Sequence, residues 1–250
     1  MTPRGLFVKT FLRASAWLLG VLGATFVATT PWSASREGST AVTAQRLTSE
    51  AMIANLGASD PAVRAKAACD LRKQGEEASD GLGALVALLE DAAPVTGEVC
   101  RRHWGRRDRQ LTTPGQEAAA TLVAIGGRAA QPLLAALESP SWVARRNAAW
   151  ALGALDEPRA LAPLIRLMKD PQPAVREQAA WALGVLDDRS AAPAVIAALK
   201  DEDPRVRRQA AWAAGVLEDR SALDPLMAAL KDPDAGVRRQ AAWALGILAR

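Results

Sequence analysis

Over its second half the chain repeats one pattern of apolar and polar positions. A polar turn, such as Asp170-Pro-Gln-Pro173, leads into a Val-Arg pair, two alanines, a tryptophan and a small apolar tail ending in glycine. Trp150, Trp181, Trp212 and Trp243 recur every 31 residues, inside Asn147–Gly153, Gln178–Gly184, Gln209–Gly215 and Gln240–Gly246. The pairs ahead of them are Val175-Arg176, Val206-Arg207 and Val237-Arg238, with Ala144-Arg145 divergent. Each unit carries two helical stretches. The first is typified by Ser190–Lys200, with Pro193 near its start, where a missing N–H is harmless. The second runs from about Ala174 to Leu186. At about 100° per residue, Val175, Ala179, Ala182, Leu183 and Leu186 cluster within roughly 60° of one direction, while Trp181 points nearly the opposite way.

Weaker copies extend the pattern backward. Val63-Arg64 and Ala67–Leu71 match a second helix with Cys69 at the tryptophan place, and Gln116–Ile125 match again with Ala120 there. Cys69 and Ala120 are 51 residues apart, one repeat plus 20, so an insertion at 91–113 interrupts the second unit. Six units follow, starting near residues 44, 76, 127, 156, 187 and 218. One helix pair cannot bury its apolar face alone. Tandem pairs share a continuous core, and the expected fold is an all-α solenoid.

The motif Val-Arg-x-x-Ala-Ala-x-Ala-Leu-Gly, followed by an acidic residue and a Pro-Leu helix start, resembles the HEAT-like repeat family known from phycobilisome lyases. The resemblance covers most of 44–250. It implies a right-handed α-solenoid whose second helices line a concave face. Trp150, Trp181, Trp212 and Trp243 would then form a ladder along that face. The residues four before them are Arg146, Glu177, Arg208 and Arg239, so Arg146, Arg208 and Arg239 could reach the indoles and join them in binding a partner. The alternative is that neighbouring indoles stack on one another and merely cover the groove. Arg145, Arg176, Arg207 and Arg238 point elsewhere and read as structural, with Asp170, Asp201 and Asp232 of neighbouring units as partners.

Charge changes the picture little. The formal net charge is +4. Arg4, Lys9 and Arg13 lie in an N-terminal stretch without acids, and the rest holds 28 basic against 27 acidic residues, which argues against nucleic acid as the partner. Residues 1–13 are basic, Ala14–Ala28 is uncharged and mostly apolar, and Ser33-Ala34-Ser35 offers small residues to a signal peptidase. Residues 1–35 therefore read as a signal peptide and 36–43 as a linker before the repeat domain at 44–250. The expected location is periplasmic or secreted. The alternative is a membrane anchor formed by residues 14–30, since the run is short of the about 20 residues a span needs.

The insertion holds Arg101, Arg102, Trp104, Arg106, Arg107 and Arg109 against Asp108, a candidate anion-binding cluster or a solvated loop. Cys69 and Cys100 are the two cysteines, and an even count in an exported chain suggests a disulfide; two free thiols are the alternative. His103 is the one histidine, and no metal-ligand spacing, phosphate loop or nucleophile motif is present. No metal or cofactor is called for. The expected function is a non-catalytic protein-binding scaffold of the cell envelope. Alternatives are anionic-polymer or surface binding through the insertion, and a phycobilin-lyase-like chromophore transfer. The last unit keeps the internal apolar pattern through Arg250, which makes a homodimer through that end a further expectation.

Overall fold

Asp-Pro turns set where the second helices start. Proline fixes φ and lacks an N–H that the first turn could not use, while the preceding side chain caps a free N–H. Asp60, Thr113, Asp203 and Asp234 accept backbone hydrogen bonds at helix starts in this way. The computed structural model describes residues 48–95 and 112–249. The expected signal peptide (1–35), the linker (36–43) and residues 96–111 of the insertion lie outside the described residues.

Helix α1 covers residues 48–55. It is followed by α2 (Pro61–Arg72), α3 (Leu82–Ala87), α4 (Pro114–Ile125), α5 (Ala130–Ala136) and α6 (Trp142–Ala154). Then come α7 (Leu161–Leu167), α8 (Pro173–Leu186), α9 (Ala192–Ala197), α10 (Pro204–Val216), α11 (Leu223–Ala229) and α12 (Ala235–Leu248). Odd-numbered helices are the first of each pair and even-numbered helices the second, which gives six pairs among the described residues. The first helices are shorter than the sequence pattern suggests. Within Ser190–Lys200 the α-helical part is α9 alone, framed by 3-10 turns at Arg189–Ala191 and Ala198–Lys200. From Ala51 onward the pairs form one solenoid-like unit in which consecutive second helices pack side by side.

The turn out of each second helix is also fixed by acids. Asp156, Asp187 and Glu218 take left-handed backbone angles, φ 54°, 53° and 50°. The next acid caps the following turn: Glu157, Asp188 and Asp219 accept from the N–H groups of Arg159, Ser190 and Ser221. Asp tolerates this region better than most residues, because its short side chain bonds locally.

Two contacts join one unit to the next. The first is an arginine clamp. Arg176 donates from Nε and Nη2 to both carboxylate oxygens of Asp201 in the following turn, at 2.7 and 2.8 Å. Its Nη1 reaches the carbonyls of Asp170 and Pro171 in its own turn. Arg145–Asp170 and Arg207–Asp232 repeat this geometry, both at 2.7 Å from Nε, and across the first junction Arg64 reaches Asp91 from Nε alone. The guanidiniums of Arg145, Arg176 and Arg207 are held above their usual pKa by these hydrogen-bonded aspartates. Arg207 in turn holds the Asp232 carboxyl below the usual range. The sequence expectation of Asp170, Asp201 and Asp232 as partners is met. Arg238 donates to its own turn carbonyls, of Asp232 and Pro233.

The second contact is a glycine seat. A methyl group built on Gly153 would fall 2.9 Å from Cζ3 of Trp181, one on Gly184 would fall 2.5 Å from Cζ3 of Trp212, and one on Gly215 would fall 2.9 Å from Cζ3 of Trp243. Each of these glycines is therefore required by the indole of the next unit. The buried arc of α8 is consequently wider than the five-residue stripe read from the sequence. It adds Arg176, Ala180 and Gly184, because the helix packs on its own first helix and on second helices at both sides.

The junction between α4 and α6 lacks both contacts in their usual form. Gly115 stands at the arginine place, Ser139 at the aspartate place and Val123 at the glycine place. Arginine and aspartate are lost together, as a pair that spans one junction must be. Asn147 instead donates to the Leu89 carbonyl at 2.8 Å, and this is the smallest of the five second-helix interfaces.

These contacts separate otherwise equivalent positions. Gly184→Ala should cost about 1–3 kcal/mol by overpacking against Trp212. Gly246→Ala, with nothing within 4 Å of the added methyl, should gain up to about 1 kcal/mol from helix propensity. Urea denaturation reads both, and equal effects would contradict the seat. By the same measurement Arg176→Ala, which strands Asp201 in a part-buried pair, should cost about 3 kcal/mol. Arg238→Ala should cost about 1 kcal/mol; equal losses would show that the inter-unit carboxylate contributes nothing.

Candidate functional site

The outward face of the second helices carries what the core does not absorb. On α8 the residues outside the buried arc include Glu177, Gln178, Trp181 and Val185. Trp150, Trp181 and Trp212 are half-buried and packed against the core, and Trp243 is 41 % exposed. The tryptophans thus point outward, as the helical spacing predicts, but each of the last three also rests its ring edge on the preceding unit's glycine. Removing an indole would open a gap between units as well as strip the face, so folding and binding are not separable at these residues.

Trp181, Arg208, Gln209, Trp212 and Gln240 line a shallow cleft of about 300 Å³ across α8, α10 and α12. Arg208 is an exposed wall of this cleft, with Nη2 3.7 Å from Glu177 on the preceding helix and its stem against Gly236 on the next. Arg239 is exposed on the same face, one helical turn before Trp243. Arg146 differs from the expectation. Its guanidinium lies over Trp142, 5.5 Å from the ring centroid, and donates to Oδ1 of Asn147. Side chains on a helix lean toward its N-terminus, so an arginine four residues before Trp150 reaches back a turn rather than forward. Burial holds this guanidinium below its usual pKa.

The sequence reading passed over the polar residues three before each tryptophan. Asn147 is buried and committed to the Leu89 carbonyl. Gln178, Gln209 and Gln240 are half-buried, and their carboxamides have no hydrogen-bond partner among the described residues. Their recurrence was visible, but a glutamine on a helix surface gives no signal until its neighbours are placed.

The insertion is described at its base. The Val95 N–H donates to the Thr112 carbonyl at 2.9 Å in an isolated antiparallel bridge, with both residues buried. Beneath it Glu117, fully buried, accepts from the Thr112 hydroxyl at 2.8 Å and from Arg72 at 3.0 Å. Cys69 is buried, disulfide-bonded and 3.4 Å from a donor nitrogen of Arg72. Cys100 and the candidate anion-binding residues Arg101, Arg102, Trp104, Arg106, Arg107 and Arg109 lie outside the described residues. Among the described residues no group of three or more His, Cys, Asp or Glu is placed to hold a metal ion.

Comparison with known proteins agrees with the repeat geometry. The family of HEAT repeats matches residues 130–200 and 192–249. Residues 130–249 are HEAT repeats. Its helix pairs superpose on a chain from the complex of CpcE and CpcF of phycocyanin lyase from Nostoc sp. PCC7120, with TM-score 0.51 and 27% identity over 92% of this chain and 83% of that one. Yeast importin-beta (Kap95p) gives TM-score 0.58 at 17% identity, covering 79% of this HEAT-repeat chain and 30% of importin. An engineered protein gives TM-score 0.51 at 20% identity, covering 81% of this chain and 96% of that one. The last two likenesses concern the fold alone. No curated protein sequence matches the chain.

Proposed function

We propose that this HEAT-repeat chain is a non-catalytic scaffold that holds a protein partner along its second-helix face. The cleft between Trp181 and Trp212 carries the reading: two half-buried indoles flank glutamine carboxamides that the fold leaves unpaired. Apolar walls with a few convergent polar groups are the make-up of a binding site. The Nostoc phycocyanin lyase chain to which it is similar also occurs in a protein complex, of CpcE with CpcF. The sequence of residues 1–35 supports a place in the periplasm or outside the cell, with anchoring by residues 14–30 as the alternative. A Cys69–Cys100 bridge would tie the insertion to the first unit. A homodimer through the last unit, where Met227, Leu230 and Trp243 are exposed, belongs to the same proposal.

The likeness to phycocyanin lyase supports a second reading, chromophore transfer. Covalent attachment of a bilin to an acceptor protein in the presence of the chain would establish it instead.

The scaffold reading is tested with a variant that alters the cleft and spares the core, Gln209→Ala with Gln240→Ala. Affinity capture from the cell-envelope fraction should recover a partner with the wild-type chain and at least about tenfold less with the variant, at unchanged melting temperature. Equal recovery by both would remove the cleft from the function. If the bound material instead dissociates steeply with added salt and ignores the variant, the arginine insertion is the binding element.

A further inference from the structure

Resting on the scaffold reading, we propose that the occupant of the cleft is an extended, acidic segment of polypeptide. Its chemistry follows from three features of one surface. First, Gln178, Gln209 and Gln240 present one carboxamide per unit, each half-buried and without a partner among the described residues. A carboxamide both donates and accepts, as a peptide group does. Closely packed helices lie about 8–10 Å apart, and an extended strand rises about 3.3 Å per residue. A strand crossing α8, α10 and α12 would therefore meet a carboxamide about every third residue.

Second, the indoles of Trp181 and Trp212 line the same cleft as Gln209 and Gln240. They offer flat apolar surface to the alternate side chains of a strand while their inner edges stay fixed on Gly153 and Gly184. The walls are thus positioned before any ligand arrives, which lowers the ordering cost of binding.

Third, the charge is positive in balance. Arg208 and Arg239 are exposed on this face against the single acid Glu177. Arg208 is 48 % exposed, and its 3.7 Å approach to Glu177 is a loose pair that a ligand carboxylate can replace. The buried arginines, by contrast, are fully committed to the clamps. A nucleic-acid strand fits less well, because its phosphates only accept hydrogen bonds and would leave the oxygen of each carboxamide without a donor.

Fluorescence anisotropy tests the proposal with a labelled peptide of alternating Glu and Val. Controls are the same peptide with Lys for Glu, the Glu peptide N-methylated at alternate amides, and a uridylate RNA oligomer of equal charge. The Glu peptide should bind at least tenfold more tightly than the Lys peptide, and N-methylation should cost about tenfold. Arg208→Glu with Arg239→Glu should reverse the charge preference at unchanged helicity; if that variant fails to fold, Arg208→Gln with Arg239→Gln should abolish it. Gln209→Ala with Gln240→Ala should weaken the Glu peptide and leave the sign of the preference intact. Equal binding of the Glu and Lys peptides, indifference to the arginine variants, or tighter binding of the RNA would overturn the proposal. Capture of a protein partner that depends on Gln209 and Gln240, but with no preference for the Glu peptide, would refute the acidic segment and leave the scaffold standing. Capture that ignores those glutamines would remove both.

Discussion

A guanidinium placed at the start of a second helix, with one carboxylate ahead of it and two carbonyls behind, is the constraint from which the rest of the solenoid follows. Arg176 is hydrogen-bonded on every nitrogen: to Asp201 of the next turn and to Asp170 and Pro171 of its own. Burying one charge alone would be costly, and the paired geometry offsets that cost only if both turns keep their positions. The clamp therefore sets the register between units and explains why the turns are acidic at one fixed place. It also explains a coincidence in the sequence. Where the arginine becomes Gly115, the aspartate of the following turn becomes Ser139, since either charge left alone at that depth would be a liability.

The clamp settles the turn end of each junction, and the tryptophan settles the helix face. Alanine-rich second helices approach closely, which leaves no room in the core for an indole. The ring is displaced outward and comes to rest on the glycine of the preceding unit. One residue type thus serves packing and surface at once. Its ring edge is the wedge between helices and its outer face is the wall of a cleft. This dual use sets the indole apart from the neighbouring glutamines, which the fold leaves unpaired and which are accordingly the better handles on binding.

The repeat, the helix pairs, the clamp partners and the outward direction of the tryptophans were legible in the sequence, because period and helical angle determine them. Three things were not. The glycine seat joins residues of different units, so no wheel of one helix can show it. Arg146 lies over Trp142 and not Trp150, since side-chain lean is lost when only angles are counted. The base of the insertion, with Val95 bridged to Thr112 over a buried Glu117, depends on a pairing between distant residues for which no local signal exists. The glutamines were readable as letters of the motif, but their lack of partners is a property of the folded surface.

If the clamp and the seat are what join the units, stability should be uneven along the array. Native-state hydrogen exchange measures this directly, because it assigns an opening free energy to each second helix. The amides of α8 and α10, whose junction has both contacts, should open together at the highest free energy. The α4–α6 junction, where Gly115, Ser139 and Val123 replace the clamp and the seat, should open separately and at lower cost. A single opening free energy from α2 to α12, or a weakest point between α8 and α10, would contradict the account.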